Sequence, residues 1–301
     1  MSTLPADWPQ RAASIRVRCL PHDWHVQRWG AGPEVLLLHG AGASAHSFHP
    51  LVPHLPGLRM IAVDLPGQGF TRAGNKARFG LDAMAEDLAL LCQGQGWQPR
   101  AIIGHSAGAA VALRLAEILP TPPACIIGIN AALGPFEGVE GWLFPKLARV
   151  MAMSPLIGRG VAHLAAKPAR VAKLIAQTGS RPDPARVALY ARLIALPGHV
   201  EATLGMMAQW SLDALLARLP RMRLPVLLIA AKGDVAVPPE VSRRVADRMP
   251  SAVLAELPDL GHLAHEESPE TVAALIRPFL ARHLGAPGPQ AGASASEWSR
   301  M

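Results

Sequence analysis

Ala101-Ile102-Ile103-Gly104-His105-Ser106-Ala107-Gly108 decides how the rest of the chain is read. A short apolar run enters a Gly-His-Ser-Ala-Gly turn, and an amphipathic stretch, Ala107 to Leu119, leaves it. That is G-x-S-x-G in strand, turn and helix context. The turn is too tight for side chains at its two glycines. It holds the serine strained, with its hydroxyl exposed, and aims the helix's N-terminal amides and positive dipole end at the same point. A bare pentapeptide of this pattern is weak; the flanking strand and helix give it meaning.

Outward from this turn the same pattern recurs. Val35–Leu38, Met60–Val63, Cys125–Ile129 and Val226–Ala230 are wholly apolar runs, as expected of strands buried on both faces of a mostly parallel sheet. Helical stretches such as Leu81 to Cys92 lie between them, and strand alternating with helix defines an α/β fold. Arg16–Cys19 and Trp24–Arg28, around the turn-prone Pro21-His22-Asp23, read as an opening hairpin. The alternation stops from Gly134 to Pro220, where Pro and Gly punctuate short helices. It resumes with a strand at Val226, a helix near Pro239, a strand near Val253 and a helix from Ser268. The expected organisation is therefore an N-terminal arm (1–14), one core in two pieces (15–133 and 221–284), a helical cap inserted between them (134–220) and a Gly-, Ala-, Ser- and Pro-rich tail (285–301) without fixed structure.

Composition agrees. Half of the 301 residues are apolar and 17% are charged, which excludes a disordered protein, a coiled coil and a small disulfide scaffold. Cys19, Cys92 and Cys125 are far apart and form no CxxC pair, so buried free thiols in a reducing compartment are expected. No signal peptide is read at the N-terminus. The longest apolar stretch, Ala101 to Leu119, is interrupted by His105, Arg114 and Glu117, which speaks against a membrane span. The expected location is the cytoplasm.

The positive charge is local. Between Gly141 and Val200 stand nine cations and one acid, Asp183. That surplus of eight exceeds the formal +7 of the whole chain, so the body is close to neutral. A basic, apolar insert suits a lid over an anionic, greasy ligand or contact with a membrane surface; a solvated helix surface is the plainer alternative. No nucleic-acid signature accompanies the charge, and no phosphate-binding P-loop is present.

A serine nucleophile needs a base, and the base an orienter. Asp234 closes Ala231-Lys232-Gly233-Asp234 just beyond the strand at Val226, and His262 ends Leu257-Pro258-Asp259-Leu260-Gly261-His262 after the next strand. Ser106, Asp234 and His262 are the expected catalytic residues, with Asp259 the competing acid and His265 the competing base. The oxyanion hole is expected from two backbone amides: Ala107, after the serine, and Ala41, in His39-Gly40-Ala41-Gly42. His39 is expected to fix that loop. His46, His49 and His54 cluster nearby without acidic or thiol partners; no metal and no cofactor is expected. Phe136, Trp142, Phe144, Met206, Met207 and Trp210 are candidates for an apolar substrate lining, though such residues also hold helical segments together.

Together these residues resemble the α/β-hydrolase superfamily across roughly residues 15–284, with the chain order Ser, Asp, His. A closer resemblance rests on Trp24-His25-Val26-Gln27-Arg28, Gly40-Ala41-Gly42-Ala43-Ser44 with His46-Ser47, and Gly104-His105-Ser106-Ala107-Gly108-Ala109. It extends to Thr178-Gly179-Ser180, Leu189-Tyr190-Ala191-Arg192-Leu193, Pro197-Gly198-His199-Val200, Met206-Met207-Ala208 and Gly261-His262-Leu263-Ala264-His265-Glu266-Glu267. These look like the BchO family, magnesium-chelatase accessory proteins of bacteriochlorophyll biosynthesis. Ala131, after Asn130, stands where that pattern has glycine.

The resemblance implies a place in porphyrin metabolism beside magnesium chelatase and supplies no defined reaction. A porphyrin is a flat apolar disc bearing propionates or a propionate ester, which a basic, apolar cap would suit. Three functions are thus open: a serine hydrolase cleaving an ester or acyl bond of a hydrophobic small molecule, a non-catalytic porphyrin-binding accessory protein, and a haloperoxidase-like or C–C bond hydrolase using the same residues. Serine at position 106 excludes an aspartate-nucleophile dehalogenase.

Overall fold

The computed structural model describes residues 4–134 and 166–285. Eight strands, β1 (Ser14–Cys19), β2 (His22–Trp29), β3 (Glu34–Leu38), β4 (Arg59–Val63), β5 (Ala101–His105), β6 (Cys125–Ile129), β7 (Val226–Ala231) and β8 (Ala252–Leu257), form one sheet in the order β1-β2-β4-β3-β5-β6-β7-β8. The hairpin β1–β2 is antiparallel and joins β4 antiparallel; every pairing from β4 to β8 is parallel.

The apolar runs follow from what covers the sheet. Leu36, Leu38, Ile102, Ile126 and Leu228 face one core, built with α1 (Leu81–Gln95) and α2 (Ala107–Ile118). Val35, Leu37, Ile103, Ile127 and Leu227 face a second core on the opposite side. With both faces covered, alternation gives way to continuous apolar sequence. Between β6 and β7 the described residues hold α3 (Pro168–Ala176), α4 (Pro184–Ile194), α5 (Pro197–Gln209) and α6 (Asp213–Arg218), and no strand. After β7 come α7 (Pro239–Arg248), then β8, the short α8 (Ala264–Glu267) and α9 (Pro269–Leu284); α7 joins the first core and α9 the second.

From β3 the sheet grows in both directions, to β4 on one side and β5 on the other. Open α/β sheets bind ligands at such a point, beyond the carboxyl ends of the strands. The loop after β3 and the serine after β5 both lie there. The segment before β1 is docked as well: Trp8 is buried, packs edge-on to Phe70 with ring centroids 4.8 Å apart, and carries the Arg192 guanidinium 5.2 Å from its ring centre. Arg192 also pairs with Asp7 at 2.8 Å, so this segment is fastened to α4.

Candidate active site

Ser106 takes φ 51° and ψ −121° between β5 and α2, a strained conformation for a residue with a Cβ. Its amide donates to Ile129 O (2.9 Å), and its carbonyl accepts from Ala109 N and Ala132 N, both at 3.1 Å. Packing holds the flanks: a Cβ on Gly104 would stand 2.5 Å from Ala109 Cα, and one on Gly108 would stand 2.1 Å from Leu38 O. The two glycines are thus fixed by helix and strand crowding the turn.

Asp234 and His262 meet from adjacent loops. His262 Nδ1 lies 2.7 Å from Asp234 Oδ2, and Asp234 Oδ1 accepts from Val237 N at 2.8 Å. With Nδ1–H donated to the buried carboxylate, Nε2 keeps its lone pair for a proton. Among the described residues no hydrogen bond joins Ser106 Oγ to His262, a contact that free enzymes often hold long until substrate arrives. His262 is instead anchored to the residue before the serine: His105 Nε2 donates to His262 O at 2.8 Å, and the two rings stand 4.8 Å apart. Burial, reinforced by the neighbouring His265 and His262, holds the His105 imidazole well below the usual histidine range, so it donates as a neutral ring.

The competitors lie elsewhere. His265 is fully buried in α8, its ring tilted against His105 (4.5 Å between centroids) and Phe48 (5.4 Å), and burial lowers it to about 3. Asp259 turns the chain at φ 56°, and the carboxylate that His262 meets is Asp234. Asn130, which sequence reasoning passed over, joins the two loops: its Nδ2 donates to Gly261 O (3.0 Å) and His262 O (2.8 Å), while its Oδ1 accepts from Ala231 N (2.8 Å).

The loop after β3 abuts the serine, since a Cβ on Gly40 would stand 2.9 Å from Ser106 Cβ. Among the described residues the Ala41 and Ala107 N–H groups have no acceptor, leaving both amides available to an oxyanion. Three side chains fix this loop. His39 Nδ1 donates to Gly40 O (2.7 Å) and its Nε2 accepts from Leu65 N (2.9 Å). Gln68 Oε1 accepts from Gly42 N at 2.7 Å. His199, on α5, accepts from Gly69 N at Nδ1 (2.9 Å) and donates from Nε2 to Gly42 O (3.1 Å). Gln68 and His199 carry no motif that would mark them; His199 stands out only as part of Pro197-Gly198-His199-Val200.

Of the candidate lining residues, Phe136, Trp142 and Phe144 lie outside the described residues. Met206 is buried in the core, where its sulfur accepts from Gln68 Nε2 at 3.3 Å; Met207 and Trp210 are half-buried. Of the insert's cations, Lys167, Arg170, Lys173 and Arg181 are exposed, while Arg186 donates to His46 O and Arg192 holds Trp8 and Asp7. His46 and His49 bond Ser44 Oγ and Gln27 Oε1, each at 2.7 Å, and among the described residues no three His, Cys, Asp or Glu side chains converge as a ligand set. The three cysteines are free. No helix of the described residues is long and apolar enough to cross a membrane.

The mostly parallel sheet, with a strained serine between β5 and α2 and an Asp234–His262 pair on the loops after β7 and β8, has the architecture of an α/β hydrolase. A family model of the alpha/beta hydrolase fold matches residues 33–269, and the chain belongs to that family. Within it, the chain is 48% identical over 280 residues to the magnesium-chelatase 30 kDa subunit of Rhodobacter capsulatus, a match covering 92% of this chain and 98% of that one. It is 31% identical over 266 residues to lipase LipV of Mycobacterium tuberculosis, covering 85% and 97%. An alpha/beta hydrolase fold protein from Burkholderia ambifaria superposes with a TM-score of 0.74 at 22% identity, over 88% of this chain and 97% of that one, a likeness of fold alone.

Proposed function

We propose that the chain is a serine hydrolase acting on an ester or acyl bond of a hydrophobic small molecule, in the porphyrin branch that leads to bacteriochlorophyll. The observation that carries this reading is the 2.7 Å bond from His262 to Asp234 beside a serine held at φ 51°. Ser106 Oγ attacks the acyl carbon as its proton passes to His262 Nε2. The Ala41 and Ala107 amides hold the oxyanion, the leaving alcohol takes the proton from His262, and water repeats the sequence to release the acid.

The substrate class rests on the likeness to the magnesium-chelatase 30 kDa subunit and on charge. The helices α3 to α5 between β6 and β7 serve as part of a cap, and the exposed Lys167, Arg170, Lys173 and Arg181 supply the field that draws a carboxylated ring. The same basic face would meet magnesium-chelatase subunits transiently, or a membrane surface. The test is turnover of porphyrin methyl esters and short aryl esters, followed by mass spectrometry, in wild type and Ser106→Ala. Acid release by wild type alone supports the reading; equal rates in both contradict it.

A second reading is a porphyrin carrier that never uses Ser106. The name of the 48% identical relative favours it. Full restoration of pigment synthesis by Ser106→Ala in a deletion strain would select it.

A further inference from the structure

The turn Thr178-Gly179-Ser180, which follows α3, lies between the Asp234 turn and the His262 loop. Thr178 O accepts two backbone amides, Val235 N at 3.2 Å and His262 N at 3.3 Å. The first belongs to the residue after the acid, the second to the base itself. Ser180, 1% exposed, accepts the next amide: Leu263 N donates to its Oγ at 2.8 Å. Gly179 brings the turn this close. It takes φ 83°, and a Cβ there would stand 1.9 Å from Gly233 O, on the acid's own turn. Glu267 closes the far side, its carboxylate accepting from Arg181 N (2.9 Å) and Gly261 N (3.2 Å).

The turn is tied in the other direction to α3 and α4. Val171, Ile175, Val187 and Tyr190 from those helices pack in one apolar cluster with Leu263, directly after the base, and Ala43, directly after the oxyanion loop. Within the sheet, the acid and base loops spring from separate strands, β7 and β8. Beyond the strand ends they are joined by backbone bonds from Lys232 N to Leu257 O and Gly233 N to Leu260 O (both 2.9 Å), by the Asp234–His262 bond, by Asn130 and by Thr178, whose carbonyl reaches the residue after the acid and the base itself. A carbonyl whose two lone pairs serve both loops fixes their spacing, and a loop that slips by 1 Å costs orders of magnitude in rate.

We infer that Thr178–Ser180 is a positioning element for the Asp234–His262 pair, holding both loops in register from the segment between β6 and β7. This rests on the assignment of Asp234 and His262 as acid and base. The helices above the sheet thereby take part in the geometry of the base as well as in covering the site.

The test compares wild type, Ser180→Ala and Ser180→Thr as full chains, by the rate of fluorophosphonate labelling at Ser106 and by the low-field proton resonance of His262 Nδ1–H, assigned through His262→Gln. Ser180→Ala is expected to label about tenfold more slowly or worse, with the resonance broadened or lost, while Ser180→Thr, which keeps the hydroxyl, restores both. A Ser180→Ala protein with wild-type labelling and an unchanged resonance overturns the inference. If wild type itself does not label, Ser106 as nucleophile fails. The resonance needs only Asp234 and His262, and its loss or survival in Ser180→Ala still decides the role of the turn. Should Ser180→Ala not fold, Ser180→Cys, with a weaker acceptor of similar size, is read in the same way.

Discussion

His199, on α5, donates to the carbonyl of Gly42 at 3.1 Å, so a helix inserted between β6 and β7 holds the loop that supplies the Ala41 amide. The same ring accepts from Gly69 N, which fixes its tautomer. His199→Ala removes both contacts and is expected to slow acylation of Ser106 about tenfold, less than deletion of an oxyanion donor outright. His199→Gln, which can reach one of the two partners, should fall between. Single-turnover labelling measures this; an unchanged rate in His199→Ala would detach the helix from the oxyanion loop.

Asn130 sits at φ 45°, a conformation asparagine tolerates better than most residues. Its amide must donate to two carbonyls and accept one N–H. Asn130→Asp places a carboxylate against Gly261 O and His262 O. It is expected to lose about 3 kcal/mol of stability, because a buried charge then faces two acceptors. Urea unfolding of both proteins measures the difference, and a loss below the noise of that measurement would contradict the assignment.

Acid should destabilise the fold well above the range where carboxylates titrate. His22, His39, His46, His49, His105, His199 and His265 are all lowered, in each case chiefly by burial. His49 and His265 fall to about 3 and His199 to about 4. A histidine that stays neutral when folded but charges near 6.5 when unfolded contributes stability above 6.5, and that stability is lost as pH falls. At pH 5 each of these three loses about 2 kcal/mol. Glu266, raised by burial to about 7, works in the opposite sense over the same window and offsets roughly one of them. Chemical unfolding at pH 7.5 and 5.0 should show a clear fall in midpoint on acidification; a flat or rising midpoint would contradict the account.

Trp8 fills a pocket formed by Phe70, His46 and Arg192. Trp8→Ala is expected to cost about 3–5 kcal/mol, as for other large-to-small changes at buried aromatics. Thermal unfolding checks this, and a change within a degree would mean that the segment before β1 is not fastened to the body.

Much of this architecture was legible in the sequence because the physics is local. The runs Val35–Leu38 and Cys125–Ile129 are apolar throughout since both faces of each strand are covered, and Gly104 and Gly108 mark a turn without room for side chains. Ends were less legible: α1 continues past Cys92 to Gln95, where Gly96 at φ 66° stops it. The sequence favours His262 over His265, three residues on, because it follows Gly261 directly in the loop after β8; the distance of 2.7 Å from its ring to Asp234 comes only with the path of that loop. Met206 needed the fold, since its helical spacing is common to a core face and a pocket face. The contacts of Thr178 O and of Gly42 O were out of reach, since a backbone carbonyl leaves no trace in residue type. His199 and Ser180, their side-chain partners nearby, were visible only as parts of short stretches without an assigned role.

The central claim, that Ser106 is a working nucleophile served by His262 and Asp234, is tested most directly by intact-mass analysis after fluorophosphonate treatment of wild type, Ser106→Ala and His262→Ala. The account predicts one adduct on wild type, mapped to Ser106, none on Ser106→Ala, and labelling of His262→Ala slowed by about a thousandfold. A folded wild-type protein that takes no adduct, or an adduct that persists on Ser106→Ala, would contradict it.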